Sequence, residues 1–323
     1  MNDAKIFCAH NSGRVRTGEN KLKALLTNTR LLSIRHADGS QSLGAVTDGG
    51  VIDLRATAKK MGVTVAGSID ELLRGADADG LQQVIAGAMA SGIALLAEAD
   101  IVHGSLFVNP GKIMCVGLNY RQHAKEVNMP VPRVPPLFSK FSNSLAGHGC
   151  VIKLPSKELA TKFDYETELL IVIGKPGRDI AEAEALEYVA GYCTSNDFSA
   201  RDLQLELPSG QWMVGKTLDN FAPIGPYFVS SDLVGDPNKL RIETRVNGEL
   251  RQSSSTADFI FNTQQIIAYI SRHWMLEAGD IIFTGTPQGV IAGMPKEKQK
   301  WLKAGDSIVS SIENLGDLKF SLA

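Results

Sequence analysis

Asp164-Tyr165-Glu166-Thr167-Glu168 runs directly into Leu169-Leu170-Ile171-Val172-Ile173-Gly174, and the character of the whole chain turns on that stretch. A Glu-x-Glu alternation opening onto an apolar run rich in β-branched residues predicts a strand that enters a core. Residues two apart on a strand share a face, so Glu166 and Glu168 point the same way with Asp164 beside them, three like charges within about 14 Å. Water, protonation or a cation relieves such a set, and a hard divalent ion is the natural counter-charge. The same pattern also describes a solvated strand edge with acidic outward positions, so the decision falls to other stretches.

Composition narrows the classes. The 323 residues are 44% hydrophobic and 21% charged with a formal net charge of -2, enough apolar material for a large core and a length that suggests two domains. Lys and Arg form no runs, which leaves no electrostatic footprint for nucleic acid or an anionic membrane and makes small-molecule chemistry the default. Cys8, Cys115, Cys150 and Cys193 show no CxxC spacing, pointing to reduced thiols rather than disulfides or a zinc site. No apolar run approaches the ~18 residues of a membrane span. Residues 1–28 are polar and lack an apolar signal core, so they are expected to be an extension of a cytoplasmic protein.

Regular patterning begins at Thr29. Arg30–Arg35, Gln41–Val46 and Val51–Leu54, separated by Asp38-Gly39-Ser40 and Asp48-Gly49-Gly50, read as a small antiparallel sheet. Ser68 with Glu71 three residues on marks a capped helix start, and Leu81–Ala97 reads as an Ala-rich helix. Residues 29–105 offer no nucleophile, ligand cluster or phosphate loop, and are expected to form a small supporting α/β domain. The chemistry is then left to residues 106–323.

There, Ile113–Gly117 reads as a buried strand and leads into Leu118–Glu126, where His123 and Glu126 stand three apart. On a helical turn the two side chains meet, and a carboxylate beside an imidazole orients it and raises its basicity. Pro130, Pro132, Pro135 and Pro136 follow, which rules out a regular helix and suggests a hinged flap. Ile180–Val189, with Asp179 and Glu182 at its start, suits a helix. Asp197 lies far enough beyond the Glu-x-Glu to return to the same sheet and complete a three-carboxylate set, or else to cap a helix near Ser199. Lys216 sits among apolar residues, so it either snorkels or pairs with an anion.

Taken together, Gly117-Leu118-Asn119-Tyr120 with His123 and Glu126, Asp164-Tyr165-Glu166-x-Glu168, Asn196-Asp197-x-Ser199-Ala200-Arg201-Asp202-x-Gln204, Gly215-Lys216-x-x-Asp219 and Thr284-Gly285-Thr286-Pro287-x-Gly289 closely resemble the fumarylacetoacetate hydrolase family. The resemblance covers about residues 110–323. It implies an α+β, mostly β fold: a C-terminal mixed β-sandwich roll, usually homodimeric, that holds Mg²⁺ or Mn²⁺. By position it makes Glu166, Glu168 and Asp197 the metal carboxylates, His123 and Glu126 a dyad on a lid, and Lys216 the lysine at the reacting oxygen. Arg201, Gln204 and Thr286 match substrate contacts. Val116 stands where eukaryotic fumarylacetoacetases carry a further acidic ligand, so the chain resembles the smaller bacterial branch of acylpyruvate hydrolases, oxaloacetate decarboxylases and isomerases.

Substrates of that branch are 2-oxo acids whose carboxylate and keto oxygens chelate a hard cation, which then stabilises enolate charge as the adjacent bond breaks. The leading expectation is a hydrolase of acylpyruvates such as fumarylpyruvate, in aromatic-acid catabolism, with His123 and Glu126 activating water and Lys216 stabilising the oxyanion. The alternatives are oxaloacetate decarboxylase, 2-hydroxyhepta-2,4-diene-1,7-dioate isomerase and, remotely, a non-enzymatic metabolite-binding protein. Arg133 and Lys140, near the flap, are candidates for a second substrate carboxylate. Asn247-Gly248 predicts a two-residue hairpin turn, Thr263–Ile270 an amphipathic helix, Ile281–Thr284 a buried strand that delivers Thr286, and Leu318–Leu322 the closing strand.

Overall fold

The computed structural model describes residues 26–75, 78–206 and 211–323. Residues 1–25 of the expected extension, with Cys8, lie outside the described residues. The fold is α+β and mostly sheet. Its centre is a nine-stranded mixed sheet whose strands run, from one edge to the other, 50–53, 41–47, 30–35, 228–230, 189–196, 167–173, 281–283, 113–116 and 137–139. A second sheet of five strands runs 249–255, 241–246, 307–312, 316–322 and 151–152.

Strand Thr167–Ile173 is buried at every position, as a run of large apolar residues demands when both faces of a sheet are covered. Its alternation sorts side chains into two cores. Leu170 and Val172 face one way, with Cys115, Cys193 and Phe283. Leu169, Ile171 and Ile173 face the other, against Ile266, Ile267 and Ile270 of helix Thr263–His273 and Ile242 and Ile312 of the second sheet. Truncating one such side chain to Ala costs about 2–5 kcal/mol.

The three strands expected to form a small sheet of their own instead extend the central one. Arg30 pairs with Val229 and Leu31 with Phe228, and Leu31, Leu43 and Ile52 share a core with Leu170, Val172 and Phe283. The reason is an edge: strand 228–230 offers unpaired backbone groups that a neighbouring strand satisfies. Strands on both sides of residue 105 therefore share one sheet and one hydrophobic cluster. The segment expected as a helix after Ile180 forms a 3-10 helix, Glu182–Tyr188, entered through Asp179 at a φ of 50°. The Ala-rich helix is Ala78–Ser91, ending at a left-handed Gly92. Asn247 and Gly248, with φ of 50° and 84°, form the two-residue turn in which Val246 pairs with Glu249. Cys115, Cys150 and Cys193 are free thiols.

Candidate metal centre and active site

Backbone pairing brings the carboxylates together. Strands Thr167–Ile173 and Val189–Asn196 are antiparallel, with Ser195 opposite Glu168 and Asn196 opposite Thr167. The pairing continues one step past the strand ends, where Asp197 N donates to Glu166 O at 2.8 Å. Glu166, Glu168 and Asp197 each offer an oxygen within 4.8 Å of the others, and all three are buried. The solvated-edge alternative is thereby excluded, and so is a helix-capping role for Asp197: Ser199 and Ala200 pair as a short strand with Asp164 and Phe163.

Buried carboxylates at this separation need counter-charge, and three cations supply part of it. Lys216 Nζ donates to Glu166 Oε2 at 2.6 Å and to Asp197 Oδ2 at 2.7 Å. Arg201 Nη2 lies 2.7 Å from Glu166 Oε1. Lys140 Nζ lies 2.6 Å from Asp197 Oδ1 as an ion pair and gives two of its three hydrogens to the carbonyls of Lys216 and Phe221; among the described residues Oδ1 accepts no aligned hydrogen bond. Lys216 reaches this place because Gly215 lets its short helix, Met213–Lys216, approach residues 200–204: a Cβ at Gly215 would fall 2.5 Å from Ala200 O.

Asp164, read as a neighbour of the triad, serves a different partner. Its Oδ2 accepts Arg201 Nε at 2.9 Å and Ala292 N at 3.0 Å, while Oδ1 accepts Ile291 N at 2.9 Å. Four carboxylates therefore face three cations, and the unbalanced charge falls on Glu168. It has no ion pair among the described residues and accepts one backbone donor, Gly285 N, at 2.6 Å. Gly285 sits at a φ of 93°, the left-handed region glycine favours, and so aims that N–H at the carboxylate.

The electrostatics follow. Burial, then the charges of Asp197 and Glu166, push the Glu168 carboxyl well above the usual carboxylate range. Burial also opposes ionisation of Glu166, but Lys216 and Arg201 overcome it and hold that carboxyl at about 2. Lys216 is opposed by burial and yet raised by Asp197 and Glu166, so its ammonium stays charged. A buried Asp197 oxygen without an aligned hydrogen bond and an unbalanced Glu168 are what a hard, oxygen-preferring cation would satisfy, and the donor set fits one.

The triad floors a cavity of about 560 Å³ lined also by His123, Glu126, Arg201, Gln204, Lys216 and Thr286. His123 and Glu126 lie on helix Arg121–Glu126, with Nδ1 3.1 Å from Glu126 Oε2. Glu126 Oε1 accepts Gly289 N at 2.9 Å, so this helix is docked on the loop beyond Thr284. Asn119 fastens its base, donating to Thr284 O at 2.7 Å. Gln204 Oε1 accepts Arg201 Nη1 at 2.8 Å, which leaves its amide N–H groups toward the cavity.

Two of the expected substrate contacts are placed otherwise. Lys140 is absent from the cavity lining, because it stands behind Asp197 as that carboxylate's counter-ion. Thr286 lines the cavity, but its hydroxyl donates to Thr167 O at 3.0 Å and accepts Gln252 Nε2 at 2.9 Å, so the side chain has no proton left for a substrate carboxylate. Sequence reasoning missed the Asp164–Arg201 pair, the docking of Glu126 on Gly289, and the wall formed by residues 290–299. Asp164 and Arg201 stand 37 residues apart, so neither that pair nor the loop contacts had a local signal.

A buried tricarboxylate under an imidazole–carboxylate dyad defines an enzyme site for small molecules. The family model for the fumarylacetoacetate (FAA) hydrolase C-terminal region matches residues 112–323, and the chain belongs to the fumarylacetoacetate hydrolase family. A mitochondrial oxaloacetate tautomerase of Bos taurus is 39% identical over 268 residues, 83% of this chain and 82% of the relative. A solved fumarylacetoacetate hydrolase from Exiguobacterium antarcticum aligns with a TM-score of 0.73 at 34% identity, covering 91% of this chain and 99% of that one. A fumarylpyruvate hydrolase from Pseudomonas aeruginosa, solved with Mn²⁺ and pyruvate, aligns with a TM-score of 0.59 at 33% identity over 66% of this chain and 89% of that one. Among the described residues no helix is long and apolar enough to cross a membrane.

Proposed function

We propose that the chain catalyses enolate chemistry on a 2-oxo acid, with keto–enol proton transfer on oxaloacetate as the first candidate and decarboxylation through the same enolate beside it. The observation that carries this reading is the His123–Glu126 dyad held over a buried tricarboxylate cavity. The similarity to oxaloacetate tautomerases over four-fifths of both chains favours proton transfer over the acylpyruvate hydrolysis expected first from sequence. Hydrolysis of fumarylpyruvate is the second reading, supported by the fumarylpyruvate hydrolase relative.

Glu166, Glu168 and Asp197 would hold Mg²⁺ or Mn²⁺, which when bound supplies Lewis-acid stabilisation of enolate charge on the substrate. Glu126 holds His123 by Nδ1, leaving Nε2 to carry a proton between the substrate's third carbon and its 2-oxygen. Lys216 has two hydrogens on carboxylates and a third to direct at the developing enolate oxygen. The Gln204 amide donates to the substrate's 1-carboxylate. Arg201, paired with Asp164 and Glu166 and hydrogen-bonded to Gln204, positions these groups. Exposed Met129, Val131, Val134 and Phe141 near the flap support a homodimer that covers them, to be read by sedimentation.

The test follows the decay of enol-oxaloacetate absorbance with purified protein and Mg²⁺ or Mn²⁺, alongside pyruvate release from oxaloacetate, fumarylpyruvate and acetylpyruvate. His123-dependent enol decay supports the first reading. Pyruvate release confined to the diketo acids replaces it with the hydrolase.

A further inference from the structure

One wall of the cavity has its own anchoring. Residues 290–299 return over the site, and their first turn is tied to Asp164 through Ile291 N and Ala292 N at 2.9 and 3.0 Å. Gln299 Nε2 closes the loop on itself by donating to Met294 O at 2.9 Å and Ala292 O at 3.2 Å. Asp164 also holds Arg201, and Arg201 holds Glu166. One carboxylate thus spaces this wall from the triad. Val290, Met294 and Pro295 make the wall apolar, and Lys296 is the charged group it brings to the cavity.

The basic side chains lining the cavity are His123, Arg201, Lys216 and Lys296. The first engages Glu126, the second Asp164 and Glu166, and the third Glu166 and Asp197. Among the described residues Lys296 alone of these four has no carboxylate partner. The cavity of about 560 Å³ is in the range that houses drug-sized ligands, more than a four-carbon acid fills. The triad end is built for one anionic terminus of a substrate. A wall with apolar residues and one uncommitted ammonium suits a second.

We propose that Lys296 is a specificity-determining residue: it receives the distal carboxylate of a 2-oxo dicarboxylic acid, so that the site prefers such acids to monocarboxylic analogues. This rests on the reading that the 2-oxo acid end lies over the triad. The flexible four-carbon stem lets the ammonium meet carboxylates at more than one chain length. Because Lys296 is exposed, the preference weakens as salt rises.

Lys296→Met removes the charge and keeps an unbranched stem; Lys296→Arg keeps the charge. In the Mg²⁺-loaded full chain, KM for fumarylpyruvate or oxaloacetate is expected to rise about five-fold in K296M, with kcat nearly unchanged. Acetylpyruvate should be unaffected, and K296R should restore most of the loss. Equal changes for both substrate classes, or none for either, overturn the role of Lys296. A second arm needs no turnover: calorimetric binding of 2-oxoglutarate and 2-oxobutyrate to the Mn²⁺-loaded protein. A wild type silent on every substrate rejects the proposed function, and the binding arm then decides alone. Preference for 2-oxoglutarate that collapses in K296M upholds the inference; absent preference, or preference that survives K296M, overturns it.

Discussion

A cleft of about 1110 Å³, bordered by Arg35, Glu98, His103, His148 and Lys319, is roughly twice the volume of the triad cavity and handles burial in the opposite way. Its two histidine rings lie with centroids 4.6 Å apart, tilted by 54°. Burial, then the neighbouring His148, lowers His103 to about 4, and burial, then Lys319, lowers His148; both rings escape the desolvation cost by staying neutral. The triad cavity keeps its charges, because Lys216, Arg201 and Lys140 meet the carboxylates at hydrogen-bonding range. Stored, nearly balanced charge marks the reactive site, and volume does not.

The largest expected effect tests that contrast at the triad. Glu168→Gln or Asp197→Asn should weaken Mn²⁺ binding more than ~100-fold by calorimetry and abolish turnover, while His103→Gln leaves both nearly unchanged. A comparable loss from His103→Gln would erase the distinction. His123→Ala should lower kcat by ~10²–10⁴-fold with Mn²⁺ affinity retained, separating proton transfer from ion binding.

Lys140→Met leaves Asp197 Oδ1 facing no cation. Urea unfolding of the metal-free protein should show a loss of about 3–5 kcal/mol, narrowed when Mn²⁺ is added. If Lys140 were instead a substrate contact, KM would move and stability would not. The smallest effect belongs to the cleft. His103 has a folded value of about 4 against an ordinary 6.5, so between these limits the unfolded chain binds the extra proton. Its contribution is complete above about pH 6.5 and falls as pH drops toward 4. His103→Gln should flatten the melting-temperature slope in that window.

The acidic strand was legible because two periodicities coincide there: alternate carboxylates share a face, and a β-branched run needs two covered faces. The hairpin at Asn247-Gly248 was legible because the turn demands positive φ at both residues. The His123–Glu126 dyad was legible as spacing on a short helix. Lys140 was misplaced because sequence proximity to the flap says nothing about which side of Asp197 its side chain occupies. The N-terminal strands were set apart because pairing Leu31 with Phe228 spans nearly two hundred residues, and no local pattern encodes such a partner.

The sequence by itself determined the elements, the donors and the family, since strand alternation, turn chemistry and the motif residues are local properties. Tertiary structure alone decided the charge balance. It set Lys140 behind Asp197, tied Asp164 to Arg201 and residues 291–292, left Glu168 among the described residues with Gly285 N and no ion pair, and carried Lys296 to the cavity wall. Electrostatic energy depends on distance and burial between groups remote in the chain, and those distances exist only once the two sheets have packed.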